Sequence, residues 1–296
     1  MYGSRRGDIE SDGILRPSFN PWIQRPQISH YRTPTAGRTV FVISEPLPWL
    51  ELNLLESGWC FLVILTAAVI RGYSGFGFSA LTVAGLTLIL PPAEVIPIAF
   101  LLEIGASIHM LPLVWKDIDW NRLRWLTMGM LIATPIGVYL LSILPEIPTR
   151  WLVLSLIFIA SLLLLKGYQL KEASSGKSLT FGVGLLSGWV NGTTAVGGLP
   201  VVLFLLSTST GASISRASLV AYLFLSDITA LAFSGLNDLI SATLLQRTVC
   251  FLPVLVLGIS LGHQGFIQSN PKTFRTFTLG LMITLCLMGM GKMILF

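Results

Sequence analysis

The sequence predicts an all-α, polytopic membrane protein, and three observations predict it. Of 296 residues, 53% are hydrophobic and 11% charged, and the mean hydropathy of +0.77 lies outside the range of soluble domains. Charge-free runs are long enough to cross a bilayer, which takes about 20 helical residues. Trp125 to Pro145 is 21 residues, Thr248 to Pro271 is 24 and Ser178 to Ser215 is 38. The apolar stretches also lack the residue-by-residue alternation that a transmembrane barrel needs to face lipid and lumen in turn.

Residues 1–50 stand apart, with six arginines, four acids and six prolines. They read as a disordered or loosely attached tail with no assigned function, and no apolar run in them has the form of a signal peptide. Beyond the tail, eight spans long enough to cross are expected near 52–71, 93–115, 122–144, 149–166, 178–195, 213–234, 245–263 and 274–295. Two pieces of 12 residues are left over, 79–90 and 198–209. A helix of that length spans about 18 Å at 1.5 Å per residue, short of a hydrocarbon core of about 30 Å.

Each short piece follows a glycine-rich break, GYSGFGFS at 72–79 and SGWVNGTTAVGG at 187–198. The order predicts two homologous repeats, 51–166 and 178–296, joined by a linker at 167–177. Each repeat has about four transmembrane helices plus one half-helix after its break. The spacing from Gly72 to Gly188 is 116 residues, and loop insertions are expected to make the period drift. Non-helical backbone at membrane depth is tolerated only where protein or a water-filled cavity satisfies it. Paired interruptions at matching positions therefore point to the binding site of a transporter.

The net charge of +5 is dispersed between spans, which fits membrane insertion and not nucleic acid. Cys60, Cys250 and Cys286 lie in apolar runs without paired spacing, so no metal cluster, disulfide framework or cofactor is expected.

GYSGFGFSALTVAGL together with SGWVNGTTAVGGLPVVLFLL resembles the paired glycine signatures of the sulfite exporter TauE/SafE family, also called the 4-toluene sulfonate uptake permease family. In the second copy Gly188, Gly192, Gly197, Gly198 and Pro200 fall at family-like spacing, with Ala195 where a further glycine is common. WKDIDWNRLRWLTMGMLIATPIGVYLLSILP at 115–145 and GISLGHQGF at 258–266 are also similar, so the likeness covers roughly residues 55–296. It implies a secondary transporter, not an enzyme, for sulfite, sulfonate, sulfoacetate, thiosulfate or related small organic anions. Family members that pass thiosulfate by transient sulfur chemistry carry cysteines in their inner loops, and neither break here contains one.

An anion needs donors, and the starts of the half-helices offer unpaired N–H groups and a positive dipole end. The expected substrate site is built from Arg71, Ser74, Gly75, Gly77 and Ser79 in the first break, and from Asn191, Gly192, Thr193, Thr194, Gly197 and Gly198 in the second. Arg216 is a weaker candidate. Glu103 and Asp227 fall inside long spans, where an acid suggests function, and either is expected to take up a coupling proton. Aligning Pro92 with Gly211 pairs Asp227 with Ile108, so the two acids are not expected to be mates.

The expected partners are thus a small anion, a coupling proton and the lipid bilayer; oligomeric state is not legible. The expected location is the plasma membrane, the inner membrane of a bacterium. Returning short pieces would give eight crossings, with both termini cytoplasmic; crossing short pieces would give ten and inverted repeats. Two rival readings stand: a passive anion channel using the same breaks as a filter, and an intramembrane serine protease. The latter would use Ser74 of GYSG with His109 or His263 as base.

Overall fold

The computed structural model describes residues 50–166, 176–206, 211–266 and 271–295. The expected tail and linker lie outside them, apart from residues 50, 176 and 177. Ten helices follow in order: α1 Leu54–Ser74, α2 Phe78–Leu86, α3 Pro92–Val114, α4 Trp120–Ile143, α5 Glu146–Leu165, α6 Lys177–Thr194, α7 Gly198–Leu206, α8 Ala212–Leu236, α9 Ala242–Phe266 and α10 Pro271–Leu295. No strand occurs among the described residues.

Local signals set the ends. Asn53 begins α1 with a reciprocal capping box, its own N–H donating to Glu56 Oε2 at 3.0 Å. Pro92 opens α3 at the position where a missing N–H costs nothing. The Asp119 carboxylate accepts the Arg122 N–H at 3.0 Å at the start of α4. The first break is a pair of left-handed residues, Gly75 at φ 79° closing α1 and Gly77 at φ 91° opening α2. Two such residues so close together demand glycine.

The order long, short, long, long, long occurs twice, and its landmarks recur at 120 residues: left-handed caps at 75 and 195, helix starts at 92 and 212. By that interval Gly72 lies opposite Gly192 and Ser107 opposite Asp227, while the starts of α4 and α9 are 122 residues apart and those of α5 and α10 are 125 apart. The first short helix is nine residues, shorter than the 12 expected; α7 is described over Gly198–Leu206, and the rest of the second expected piece lies outside the described residues. In the first half the chain leaves helix after Leu86 and passes through Thr87–Leu90 before the proline pair.

Seven of the described helices are long and apolar enough to cross a membrane, one fewer than expected. The missing one is α6, whose eighteen residues include Lys177, Asn191, three threonines and four glycines. Its polarity is sheltered by protein, because α6 lies backbone to backbone on α4. A Cβ on Gly188 would stand 2.6 Å from Met130 Cα, one on Gly192 2.5 Å from Thr134 O, and one on Gly137 2.5 Å from Trp189 O. The pair α1 and α9 packs the same way, with Gly258 facing Ala68 and Gly262 facing the backbone of Val69 and Tyr73. Small residues are how membrane helices gain close contact where lipid offers no hydrophobic drive.

Side-chain bonds show which helix ends lie together. Arg247 at the start of α9 donates to Leu50 O at 2.9 Å and pairs with Glu94 at the start of α3. Arg150 reaches Leu90 O, Lys292 reaches Leu88 O, and Trp59 Nε1 donates to Gly85 O at 2.9 Å. So α2 returns to the end of the bundle from which α1 began, and the C-terminal end of α10 shares it. At the opposite end Ser213 donates to Asp117 and Ser218 accepts the Asp119 N–H, while Lys177 lies over the Trp125 ring. There α6 begins and α8 begins. The hairpins α1–α2 and α6–α7 therefore project from opposite ends.

Gly188→Val is expected to lower the thermal midpoint of the detergent-solubilised protein, by overpacking worth about 1–3 kcal/mol. Gly182→Val, on the exposed side of α6 with nothing within 4 Å, should leave it unchanged.

Candidate functional site

The hairpin tips meet at a small cleft of about 20 Å³. Phe76, Gly77, Ser79 and Ala80 line it from the first break, Ala195, Val196, Gly198 and Leu199 from the second, with Glu103 from α3 and Leu223 from α8. Gly77 caps α2 and Gly198 opens α7, so two half-helix N-termini adjoin one space. The first N–H groups of a helix have no intrahelical partner, and the dipole there favours negative charge.

Behind the first break Arg71 and Glu103 form a buried ion pair, Nη2 to Oε1 at 2.7 Å, with exposures of 0% and 1%. Arg71 also donates to Gly75 O, which the left-handed turn frees from the helix, and to Ser107 Oγ at 3.3 Å. Ser79, in the first turn of α2, donates to Glu103 Oε2 at 3.1 Å. One guanidinium thus ties the end of α1 to the middle of α3, and one carboxylate ties α3 to the start of α2. Removing one partner of such a pair strands a buried charge at a cost of about 3–5 kcal/mol.

Behind the second break Asn191, 120 residues after Arg71, does the corresponding work without charge. Its Nδ2 donates to Asp227 Oδ1 at 2.8 Å and Ser226 Oγ at 2.9 Å, and its Oδ1 accepts the Gly197 N–H at 3.1 Å. Ser187 donates to Gly197 O and accepts from Tyr222 at 2.7 Å. Asp227 lies 120 residues after Ser107, the same interval that separates Asn191 from Arg71. Asp227 Oδ2 has no hydrogen-bond partner among the described residues.

The expected residues thus separate. Gly77, Ser79, Gly198 and Glu103 reach the cleft, while Arg71, Gly75, Asn191, Gly197 and Asp227 stand behind it and hold its backbone. Ser74, Thr193 and Thr194 turn their hydroxyls onto their own helix, to Ile70, Trp189 and Val190 carbonyls. Gly192 is a contact with α4. Arg216 is half-buried against the tip of the first hairpin, its Nη2 reaching Gly72 O at 3.5 Å. Ser107, Ser187, Tyr222 and Ser226 were not singled out, and only the 120-residue register could have flagged the first of them. The serine protease arrangement is not formed by the described side chains: Ser74 bonds its own loop at Phe76, and His109 is exposed on α3. The His263 side chain lies outside the described residues.

Replacing Asn191 by leucine leaves the Gly197 N–H and the Asp227 carboxyl without their shared partner. Each orphaned group costs about 1–3 kcal/mol. The variant should melt well below wild type in detergent, and Asn191→Asp in acid buffer should recover part of the loss.

A family model described as Sulfite exporter TauE/SafE matches residues 60–289, a span that contains both breaks, both short helices and every residue of the cleft. No curated protein and no solved structure matches the chain.

Proposed function

We propose that this chain, which belongs to the sulfite exporter TauE/SafE family and is therefore a membrane transporter of the sulfur-anion type, is a secondary transporter that holds its substrate between the tips of its two hairpins. The substrate class is sulfite, a sulfonate, sulfoacetate or thiosulfate, moved together with a proton. The observation that carries this reading is the convergence of two half-helix N-termini on one cleft with an acid in its wall. N–H groups and dipoles of both short helices would hold the anion, with the Ser79 hydroxyl beside them. Arg71, Gly75, Asn191 and Gly197 keep the two tips in shape, and Glu103 and Asp227 are the candidate proton carriers.

Alternating access follows from the arrangement if the two halves are inverted repeats that rock about the site. Support comes from the pairing of helices: α1 lies on α9 as α6 lies on α4, and α3 crosses α8 at the centre. An exchange of the halves reproduces each of these pairs. The membrane is the plasma membrane of a bacterium. Of the described basic side chains, Lys116, Arg122, Arg124, Lys166, Lys177 and Arg216 lie toward the end where α6 and α8 begin, against Arg150, Arg247 and Lys292 toward the other. We take the richer end as cytoplasmic. Both described ends of the chain then face outward, the reverse of the expectation from counting the tail.

Uptake of radiolabelled sulfite, sulfoacetate, taurine and thiosulfate into proteoliposomes tests the function. One of these anions should be taken up faster under a pH gradient, and Gly198→Leu, whose Cβ would meet Leu223 Cδ2 at 3.0 Å, should lose that flux. Flux indifferent to the gradient would favour a passive channel. Orientation is read separately from Glu51→Cys and Lys116→Cys, both exposed positions. An impermeant thiol reagent added to intact cells should label the first and spare the second.

A further inference from the structure

We propose that Glu103 is a tethered surrogate for the substrate: in the empty transporter its carboxylate occupies the donors of the anion site, and an incoming anion displaces it and leaves it protonated. This rests on the reading of the cleft as an anion site and names the group that couples anion to proton there.

The order of groups seen from the cleft carries the argument. Glu103 lines the space and Arg71 does not. The guanidinium lies wholly buried behind the carboxylate, 2.7 Å away. An anion entering between the half-helix N-termini meets a negative group first, which repels it, while the cation that would attract it is covered. That arrangement opposes binding only while Glu103 stays charged and in place. The carboxylate meanwhile holds what an oxyanion would want, with one oxygen on Arg71 and the other on the Ser79 hydroxyl at the start of α2. A carboxylate and one edge of a sulfite or sulfonate each present two oxygens on a single central atom, so the same donors suit both. Arg71 keeps one donor unspent, since its buried Nε has no partner among the described residues.

The exchange balances in charge and atoms. Arg71 cation, Glu103 carboxylate, one substrate anion and one hydronium ion become an Arg71–anion pair, a neutral Glu103 carboxyl and one water. One O–H bond forms on Glu103 as one breaks in hydronium, and for a monoanion the pocket remains neutral overall. Asp227 is the competing acid. It is held by Asn191 and lies outside the cleft wall. The other charges near Glu103 come from α8, which contributes Asp227 and Arg216. Within α9 Arg247 is paired with Glu94 at the bundle end, and Arg150 of α5 is paired there with Glu146. The described parts of α2 contain no acid or base, and α6 has only Lys177 at its far start.

The test uses the full chain in detergent, in weakly buffered solution near neutral pH, with thiosulfate and sulfoacetate as probes because neither titrates there. Wild type should take up about one proton per anion bound, by linkage between the two ligands. Glu103→Gln should bind the anion with no proton uptake and roughly tenfold or more tightly, having lost the competing charge. In proteoliposomes its flux should persist without stimulation by a pH gradient. Anion binding by wild type without proton uptake would overturn the proposal, and needs no variant to fold. So would proton uptake retained in Glu103→Gln, which would move the role to Asp227. A folded, monodisperse Glu103→Gln that cannot bind anion would overturn it too, by making the carboxyl part of the binding set. If wild type neither binds nor moves any sulfur anion, the transporter assignment itself fails, a result distinct from the other three.

Discussion

Inside a hydrocarbon layer a helix that stops must find partners for the backbone groups it releases. Both hairpin tips solve this from the last turn of the preceding helix. Arg71 reaches forward to Gly75 O, and Asn191 reaches forward to the Gly197 N–H. The residue that stabilises each break also reaches into a neighbouring long helix, Arg71 to Glu103 on α3 and Asn191 to Asp227 on α8. The same bonds that make a break tolerable therefore fix where it stands relative to the centre of the bundle. The cleft exists because two such solved breaks face one another.

Holding the hairpins there is the work of the glycine faces. The backbones of α6 and α4, and of α1 and α9, touch without intervening side chains, so each hairpin is carried on a long helix from the other half of the chain. Close contact of this kind is sensitive to a single added methyl group. The short helix α2 is buried at eight of its nine residues and is seated by side chains such as Trp59, which binds Gly85 O.

Much of this was legible in the sequence, and what was not has physical causes. Hydropathy located the long helices to within a few residues because lipid imposes length and composition together. The breaks were legible because glycine at 75 and 77 is required by left-handed backbone. The sequence placed α6 at 178–195, within a residue of its observed ends, although its polar residues set it apart from the seven described helices that are long and apolar enough to cross. The hydroxyls of Ser74, Thr193 and Thr194 were plausible donors by type, yet a serine or threonine in a helix satisfies itself on the carbonyl four residues back. The partnership of Arg71 with Glu103 joins positions 32 residues apart, and no local pattern announces it.

The two tips are alike in backbone and unlike in charge. Arg71 with Glu103 stands behind one, and Asn191 with Asp227 behind the other. A passenger leaving past the first tip departs from a guanidinium, while one leaving past the second departs from an amide. The two tips therefore differ in the charge they set beside the cleft. A transporter of this build would run in both directions, with unequal apparent affinities on its two faces. Whether a cell uses it to fill or to empty would then depend on the gradients it meets as much as on the protein.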